Sequence, residues 1–332
     1  MPGSGHFRFA SRGRNVLVMP ANSFNVRAPG EGSKYWIVGD QMCLKLDGGQ
    51  TGGRFAVAEN YIPPQSGPPP HLHRNEDEVF YVLEGRMQFC LGDTTVERGP
   101  GAAMFLPRDV PHCFKNVGDG PARFLLMTRP AGFETFVAAC GEPIASIPHE
   151  RAVGPADVEK LLAGCGAYGI EVFPPGGKTF PNAGPPAPAG RRVWALGHKV
   201  TFKLTGAETG GALGMVEIES PVGAVVPPHR HREQDEFFYV LSGAYTFTVD
   251  GRTIAAPAGT FVHVPAGVAH SLTNAGPGVA RVLDVHTPGG FEKFFEECGV
   301  PAGDEGVAPE TPEPPAEVLR ALLERHGMDA AM

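Results

Sequence analysis

Histidine and glutamate residues recur in a spacing that is typical of a metal site. The pattern is His-x-His, a Glu five residues after the second His, and a third His thirty-four residues after that Glu. It occurs first as His71, His73, Glu78 and His112 and again as His229, His231, Glu236 and His270. Three neutral imidazoles and a carboxylate suit a first-row transition metal and leave positions for water, a substrate or dioxygen. The pattern predicts a metal centre in each copy.

The alternative interpretation is that these are polar loop residues, because both His-x-His segments follow prolines. For a single His-x-His segment that alternative would be the better one. Here all four members of the set recur at one offset of 158 residues. The repetition favours metal ligation in both copies.

Short β-strands must position these side chains. Residues i and i+2 of a strand point to one face, so each His-x-His segment directs two imidazoles into one space. The polar residues 74–77 favour a turn, and a strand over 78–83 would then direct Glu78 inward together with Phe80. His112 would come from a separate strand after a proline-bounded turn. The spacing is therefore compatible with one converging set of ligands.

An internal duplication organises the chain. Residues 36–143 and 194–301 align without a gap, and 42 of the 108 aligned positions are identical. DEVFYVLEG aligns with DEFFYVLSG, and PAGFETFVAACGEP with PGGFEKFFEECGVP. A fixed-period match of this kind indicates a tandem repeat of one structural unit. We expect an N-terminal domain over residues 1–168 and a C-terminal domain over residues 169–332.

Composition points to an all-β fold. The 45 Gly and 34 Pro residues are 24% of the 332 residues, about twice the usual share of roughly 12%. Both residue types interrupt regular structure, while 42% hydrophobic content argues against disorder. Short runs rich in aromatic and β-branched residues, closed by Gly, Asp or Pro, are typical of strands. We predict two β-barrels in tandem with short flanking helices.

The helices and linkers can also be placed. GFETFVAACG and GFEKFFEECG predict one helix after each barrel, and apolar residues at helical spacing predict a final helix over 316–326. Residues 174–190 contain ten Pro or Gly in seventeen, which predicts a linker. Short apolar runs at 16–19 and 170–173 are interpreted as the opening of each copy.

Charge and segment composition exclude several classes of function. There are 28 Lys and Arg against 36 Asp and Glu, a net charge of −8, and an acidic chain without basic clusters is a poor binder of nucleic acids or anionic membranes. No apolar stretch reaches the roughly 18 residues of a membrane span, and the N-terminus lacks the apolar core of a signal peptide. Six scattered cysteines without a CxxC pair do not form a disulfide framework. We expect a cytoplasmic protein that binds neither nucleic acid nor membrane.

The motifs resemble those of the cupin family. The first cupin motif, HxH(x)4E(x)6G, corresponds to residues 71–85 and 229–243. The second, G(x)5PxG(x)2H(x)3N, is complete over 259–274, whereas the first copy has Asp109 where the family has Gly. The first copy also has Gln65 where the second has Gly223 six residues before the first ligand. These departures concern turns and not ligands, and the resemblance implies two jelly-roll barrels, a bicupin.

Among bicupins the order of elements is most similar to the quercetin 2,3-dioxygenase group. That resemblance implies dioxygen insertion into an aromatic or enolic, flavonol-like molecule chelated to the metal. Glu78 or Glu236 would accept the substrate proton, and a carboxylate is a suitable general base. One divalent metal per barrel is implied, with Fe(II) expected and Mn, Ni, Cu, Co or Zn as alternatives. The partners are then the small-molecule substrate and O2, and we allow for a homodimer.

Two other functions remain open at this stage. A bicupin of this ligand set could be a metal-dependent decarboxylase, isomerase or cyclase, as in the oxalate decarboxylases. A cupin can also be a non-enzymatic small-molecule-binding protein, although two intact ligand sets argue against that. Fold alone does not decide among them.

Some residues outside the motifs have no settled role. His263 is interpreted as a pocket-lining residue or an ordinary strand histidine, and Cys113 should turn away from the metal by strand parity. His198 and His286 have no counterpart in the first copy and are assigned no role.

Overall fold

In the computed structural model, residues 23–92, 94–173, 190–303 and 315–331 are described. Before the barrels lies β1 (Asn25–Arg27). The first barrel contains β2 (Ser33–Ile37), β3 (Asp40–Leu46), β4 (Ala56–Ile62), β5 (His71–His73), β6 (Asp77–Glu84), β7 (Met87–Leu91), β8 (Thr94–Arg98), β9 (Ala103–Leu106), β10 (His112–Asn116), β11 (Ala122–Arg129), β12 (Glu142–Pro143) and β13 (Ile170–Val172).

The second barrel repeats this plan. Its strands are β14 (Arg192–Ala195), β15 (His198–Leu204), β16 (Gly214–Ser220), β17 (Val225–His231), β18 (Asp235–Ser242), β19 (Ala244–Val249), β20 (Arg252–Pro257), β21 (Phe261–Val264), β22 (His270–Asn274), β23 (Ala280–Thr287), β24 (Val300–Pro301) and β25 (Met328–Ala330). The helices are α1 (Gly48–Thr51), α2 (Phe133–Cys140), α3 (Pro155–Cys165), a 3-10 turn (Gly166–Tyr168), α4 (Glu292–Cys298) and α5 (Ala316–Arg325).

Each barrel is built from a large and a small sheet. The first has the strand orders β12-β2-β3-β4-β11-β6-β9 and β13-β5-β10-β7-β8. The second has the corresponding orders β24-β14-β15-β16-β23-β18-β21 and β25-β17-β22-β19-β20, and β1 extends its large sheet beyond β21. The predicted all-β class with two jelly-roll barrels is confirmed.

Strand alternation gives the large sheets two buried faces. On β11, Phe124 and Leu126 point into the first barrel, while Leu125 and Met127 point to the opposite face. That opposite face packs against its counterpart from the second barrel, where Leu283 and other apolar residues of β23 meet it. The two barrels therefore pack back to back through their large sheets, which explains why these strands read as nearly continuous apolar runs.

Reciprocal polar contacts cross the same interface. The Tyr81 hydroxyl donates to Glu217 Oε1 at 2.5 Å, and the Tyr239 hydroxyl donates to Glu59 Oε2 at 3.2 Å. Each pair is related to the other by the 158-residue offset. The duplication has thus produced a pseudo-twofold interface between the two copies.

The N-terminal segment crosses from one barrel to the other. Asn25–Arg27 pairs antiparallel with Phe261–His263 at the edge of the second barrel's large sheet. Covering an edge strand in this way satisfies backbone groups that would otherwise be free to pair with another chain. The N-terminal arm is therefore part of the second barrel's sheet.

The interpretation of residues 170–173 as the opening of the second copy is wrong. Ile170–Val172 pairs with His71–His73, just as Met328–Ala330 pairs with His229–His231. The run closes the first barrel, because its hydrogen-bonding partner is the strand that carries two ligands. The division at 168/169 stays a proposal, and this pairing favours a boundary after residue 173.

The predicted helices after each barrel are confirmed as α2 and α4, and the final predicted helix as α5. Helix α3 was missed, although PADVEKLL resembles the PAEVLRALL that forms α5. The run at 16–19 and all but the last residue of the linker at 174–190 lie outside the described residues. None of the described helices is long and apolar enough to cross a membrane.

Candidate metal centres

The first ligand set converges inside the first barrel. His71 and His73 come from β5, Glu78 from β6 and His112 from β10. His112 Nε2 lies 2.8 Å from Glu78 Oε2, and His73 Nε2 lies 3.6 Å from the same oxygen. One donor atom from each of the four residues lies within 4.8 Å of the others. The structure brings together all four residues that the sequence predicted.

The second set repeats this geometry. His229 and His231 lie on β17, Glu236 on β18 and His270 on β22. His270 Nε2 lies 2.6 Å from Glu236 Oε2, and His231 Nε2 lies 3.4 Å from it. The four donor atoms again lie within 4.8 Å of one another. Both copies therefore contain a complete candidate centre.

Backbone carbonyls orient the imidazoles. The Nδ1 atoms of His71 and His112 lie 2.9 Å from the carbonyl oxygens of Pro69 and Val110. In the second barrel His229 and His270 make the same contacts, to the carbonyls two residues earlier, at 2.8 and 3.1 Å. Fixing Nδ1 in this way directs Nε2 toward the centre, as is usual for metal-binding histidines.

The donor atoms fit a metal ion. Buried ligand atoms without a hydrogen-bond partner of ordinary geometry among the described residues include Glu78 Oε2, His112 Nε2, His231 Nε2, Glu236 Oε2 and His270 Nε2. Leaving such atoms unpaired costs about 1–3 kcal/mol each. Because all of them converge, a single cation in each barrel would satisfy them together.

The pKa shifts keep the ligand Glu78 ionised and act on the imidazoles in both directions. Burial raises the pKa of Glu78, but attraction to the imidazoles of His73 and His112 outweighs it and lowers the pKa to about 2. Burial lowers the pKa of His71 and that of His229 to about 3. Burial also lowers the pKa of His73 and of His270, but attraction to Glu78 and to Glu236 outweighs it and raises both, so these two imidazoles would release a proton on binding a cation. An ionised carboxylate and neutral imidazoles are the forms that coordinate a cation.

The two centres differ in what surrounds their ligands. In the first barrel, the buried Glu76 places Oε2 3.4 Å from His73 Nδ1, and the second barrel has Gln234 at that position. The sequence placed Glu76 in a polar turn and gave it no further role, and the structure buries it, with 4% of its surface exposed. Carboxylates that hold a metal-binding imidazole in this way fix its orientation.

In the second barrel, two further residues adjoin the ligand Glu236. His286 Nε2 lies 3.1 Å from Glu236 Oε1, and His286 Nδ1 lies 3.5 Å from Asp284 Oδ1. Burial and the charge of Glu236 raise the pKa of Asp284 well above its usual range. Sequence reasoning missed both residues. The available signal was that β23 has the ionisable Asp284 and His286 at inward-pointing positions where β11 has Leu126 and Thr128.

A cavity of about 220 Å³ opens beside the second centre. Its polar lining consists of His198, His229, Glu236 and Asp284. The remaining lining residues are apolar: Ala195, Leu196, Ile218, Val225, Val226, Pro227, Pro228, Phe238, Leu272, Phe291, Phe294, Phe295, Leu319, Leu323, Met328 and Ala330. Helices α4 and α5 therefore close one side of an apolar chamber that reaches the ligand Glu236.

The first barrel has a pocket of only about 10 Å³ in a partly corresponding place. Its lining residues Leu126 and Phe133 align with Asp284 and Phe291 of the larger cavity, and it contacts none of the metal ligands. The barrel interior is occupied by four phenylalanine rings in mutual contact, with centroids 5.1–6.4 Å apart. These rings belong to Phe80, Phe89, Phe114 and Phe124. The second barrel has the smaller Leu272 and Val282 where the first has Phe114 and Phe124, and the larger Tyr245 where the first has Met87. Of these, Leu272 lines the cavity, so the loss of the ring at that position makes room there.

Other residues singled out in the sequence lie away from the metal ligands. His263 is a strand residue at the barrel interface, with Nε2 3.3 Å from Asp235 Oδ2, and does not line the cavity. Cys113 turns away from the centre, as strand parity predicted, and faces Cys90 on β7. All six cysteines are free thiols.

Comparison with known proteins identifies the repeated unit. The cupin domain family matches residues 60–128 and again residues 216–286. Quercetin 2,3-dioxygenase of Bacillus subtilis is 24% identical over 287 residues, which are 82% of this chain and 85% of that protein. A solved structure of a variant of Bacillus subtilis oxalate decarboxylase has a TM-score of 0.56 and 17% identity, covering 80% of this chain and 77% of that chain. At this identity the structural likeness shows the fold alone.

Each family match contains one complete ligand set, so the resemblance found in the two motifs is confirmed for both barrels. Residues 60–128 and 216–286 therefore form two cupin domains in tandem, the arrangement of a bicupin.

Proposed function

We propose that this bicupin is a metal-dependent dioxygenase that incorporates O2 into a small aromatic or enolic molecule, with turnover in the second barrel. The observation that carries the proposal is the apolar cavity of about 220 Å³ that ends at Glu236 and His229. Such a chamber buries a ring favourably and places a hydroxyl of that ring beside the metal ligands. The likeness to quercetin 2,3-dioxygenase supports the same chemistry.

The cavity lining also favours this reaction over oxalate decarboxylation. None of the described residues that line the cavity is Lys or Arg, and two of them, Glu236 and Asp284, are acids. A small dicarboxylate would have only the metal ion to compensate its two charges in a largely apolar chamber that has no Lys or Arg among its described lining residues, which is costly. A neutral enol or phenol can enter the chamber without that cost of desolvating charge.

The residues have distinct roles in this proposal. His229, His231, Glu236 and His270 would hold a divalent ion, for which we propose Fe(II), and such an ion would act as a Lewis acid for an enol oxygen and as a redox partner for dioxygen. The carboxylate of Glu236 would accept the proton of the substrate hydroxyl. Phe291 and Phe294 would pack on the ring and exclude water from the chamber.

The size of the chamber limits the substrate. Pockets for drug-sized ligands are commonly about 300–1,000 Å³, and this one is smaller. We therefore propose a molecule of roughly one or two rings as the substrate, smaller than a complete flavonol. Glu78 remains a candidate base for the first barrel, but the cavity beside Glu236 argues for turnover in the second.

The test is oxygen consumption by full-length protein purified without air and loaded with Fe(II) or Mn(II). Catechols, bicyclic enols and flavonols would be supplied singly, and uptake would be compared with product formation by mass spectrometry under ¹⁸O2. We expect uptake with at least one enol and incorporation of label into its product. Formate and CO2 from oxalate, with no oxygen uptake by any enol, would refute the proposal and favour a lyase.

A further inference from the structure

The residue that lies opposite the ligand Glu on the neighbouring strand differs between the two barrels. Glu236 pairs with His286 across β18 and β23, and Glu78 pairs with Thr128 across β6 and β11. Directly opposed residues of antiparallel strands have Cβ atoms about 4.5–5.5 Å apart, so their side chains can interact. A side chain opposite the ligand Glu can therefore contact its carboxylate. The second barrel has an imidazole at this position, and the first has the hydroxyl of Thr128.

The two oxygens of Glu236 have different neighbours. Oε2 faces the metal-binding imidazoles, 2.6 Å from His270 Nε2 and 3.4 Å from His231 Nε2. Oε1 faces away from them, 3.1 Å from His286 Nε2, which is within hydrogen-bonding reach. His286 Nε2 is buried and makes no hydrogen bond of ordinary geometry with any described residue. Its approach to Glu236 Oε1 at 3.1 Å is therefore the polar contact that this nitrogen has available.

His286 is itself held in place. Its ring packs on Phe291, with centroids 4.3 Å apart, and meets the His231 ring edge to face at 4.8 Å. Asp284 Oδ1 lies 3.5 Å from its Nδ1, and the residue is 2% exposed. Asp284 can thereby direct the other nitrogen of the ring toward Glu236. A buried side chain fixed on three sides can hold its partner in one orientation.

We propose that His286 is a positioning residue that holds Glu236 with Oε2 toward the three imidazoles and Oε1 turned away from the metal. Glu236 would then bind the ion through one oxygen, with its second oxygen fixed by His286 and Asp284. Glu78 has no imidazole at the opposing position, so its second oxygen is not held in this way. This inference concerns how the second centre binds metal and does not depend on which reaction takes place there.

The test uses full-length protein in which His112→Ala has disabled the first centre, leaving one site for Co(II) alone. The informative pair is His286→Gln, whose amide can still donate to Oε1, and His286→Met, which fills similar space without a donor. The readouts are the Co(II) dissociation constant by chelator competition and the visible absorption of the bound ion. Loss of groups that orient ligands typically costs 10–100-fold in metal affinity.

We expect His286→Met to weaken Co(II) binding by about 10–100-fold and to shift the visible bands. His286→Gln should retain affinity within about threefold of the parent and keep its spectrum, because the donor is preserved. Unfolding midpoints of the two apo variants provide the folding control. If His286→Met does not fold, His286→Gln is compared with the parent, and a loss of affinity beyond about threefold or a changed spectrum in that variant would contradict the proposal.

Two results would overturn the proposal. Equal affinities and spectra for the Met and Gln variants would show that the donor does not matter. X-ray absorption that counts four imidazoles around Co(II) in the parent would make His286 a ligand and not a positioning residue.

Discussion

The two barrels have the same ligand set and different interiors. In both, three histidines and a glutamate converge in the same geometry. Beside the first set, phenylalanine rings pack together in the barrel interior, and a pocket of about 10 Å³ lined by Leu126 and Phe133 lies nearby. Around the second, Leu272 and Val282 take the places of two of those rings beside a cavity of about 220 Å³. Ligand geometry and room for a substrate are therefore separate properties, and the cavity of about 220 Å³ that reaches a ligand set lies in the second barrel.

The inward-facing polar residues have diverged in the same way. The first barrel has a buried Asp40 where the second has His198, which lines the cavity. The second barrel has Asp284 and His286 where the first has Leu126 and Thr128. Metal ligation constrains four positions tightly, whereas the rest of a barrel interior can change as long as its volume and polarity are accommodated.

The largest expected effect separates the two glutamates. Glu236→Gln should lower kcat by roughly 10²–10⁴-fold, because it removes the proposed proton acceptor. Glu78→Gln should change kcat by less than about threefold, because the cavity proposed to hold the substrate adjoins Glu236 and not Glu78. Steady-state oxygen uptake, with the metal content of each variant measured in parallel, provides the comparison. Equal losses in the two variants would place turnover in both barrels.

A large effect on stability is expected at Asp40. Burial raises its pKa from 3.8 to about 7, with a hydrogen bond to Ser66 opposing the shift. The unfolded chain releases this proton near pH 4 and the folded chain only near pH 7, so stability falls as the pH rises through that range. Asp40→Asn should therefore stabilise the protein by up to about 4 kcal/mol at pH 8 and by little at pH 4. Denaturant unfolding of metal-free protein at both pH values measures the difference.

His198 is the matched control in the other barrel. Burial lowers its pKa, so the unfolded chain takes up the proton first as the pH falls, and stability is lost on the acid side. His198→Gln should therefore stabilise the folded protein at pH 5 and have little effect on its stability at pH 8. If both replacements acted equally at both pH values, burial of the charge would not be the cause.

A smaller effect is expected from exchanging the interior residues of the two barrels. Leu272→Phe introduces the first barrel's ring into the cavity and should raise KM by about tenfold, a loss of about 1.4 kcal/mol of binding, with metal content unchanged. Phe114→Leu, the reverse change, should cost about 1–3 kcal/mol of stability and leave KM unchanged. Leu272→Met is the volume-conserving control. An unchanged KM for Leu272→Phe would mean that the substrate does not occupy this chamber.

The smallest expected difference between the two barrels, about 1 kcal/mol of stability, concerns the arginines that pair with the residue before each ligand Glu. Arg108 pairs with Asp77 within the first barrel, whereas Arg54 reaches from the first barrel to Asp235 of the second. Both arginines are about half exposed, so water screens the pairs. Arg54→Met should cost about 2 kcal/mol, because Asp235 is fully buried, and Arg108→Met about 1 kcal/mol.

Thermal unfolding followed by metal analysis measures both arginine variants. Arg54→Met should reduce metal retention at the second centre and Arg108→Met at the first. Loss of metal from the first centre in Arg54→Met would contradict the idea that this pair supports the second barrel.

Much of the candidate site could be predicted because ligation depends on local spacing. His-x-His in a strand directs both rings to one face whatever surrounds it, and the repetition of the set made that interpretation firm for both copies. His286 and Asp284 could not be placed this way. They lie fifty and forty-eight residues beyond Glu236 in the chain, and only the pairing of β18 with β23 brings them to its second oxygen.

The sequence by itself determined the duplication, the all-β class, the two ligand sets and the helices that follow each barrel. All of these depend on residue type and on the spacing of residues along the chain, which can be read directly from the sequence. The tertiary structure decided which barrel contains a cavity, because volume depends on how side chains from many strands fill one space. It also decided that the barrels pack back to back, that residues 25–27 extend the second barrel's sheet, and that residues 170–172 close the first barrel. Strand pairing between distant segments follows from long-range packing, and no local pattern in the chain specifies it.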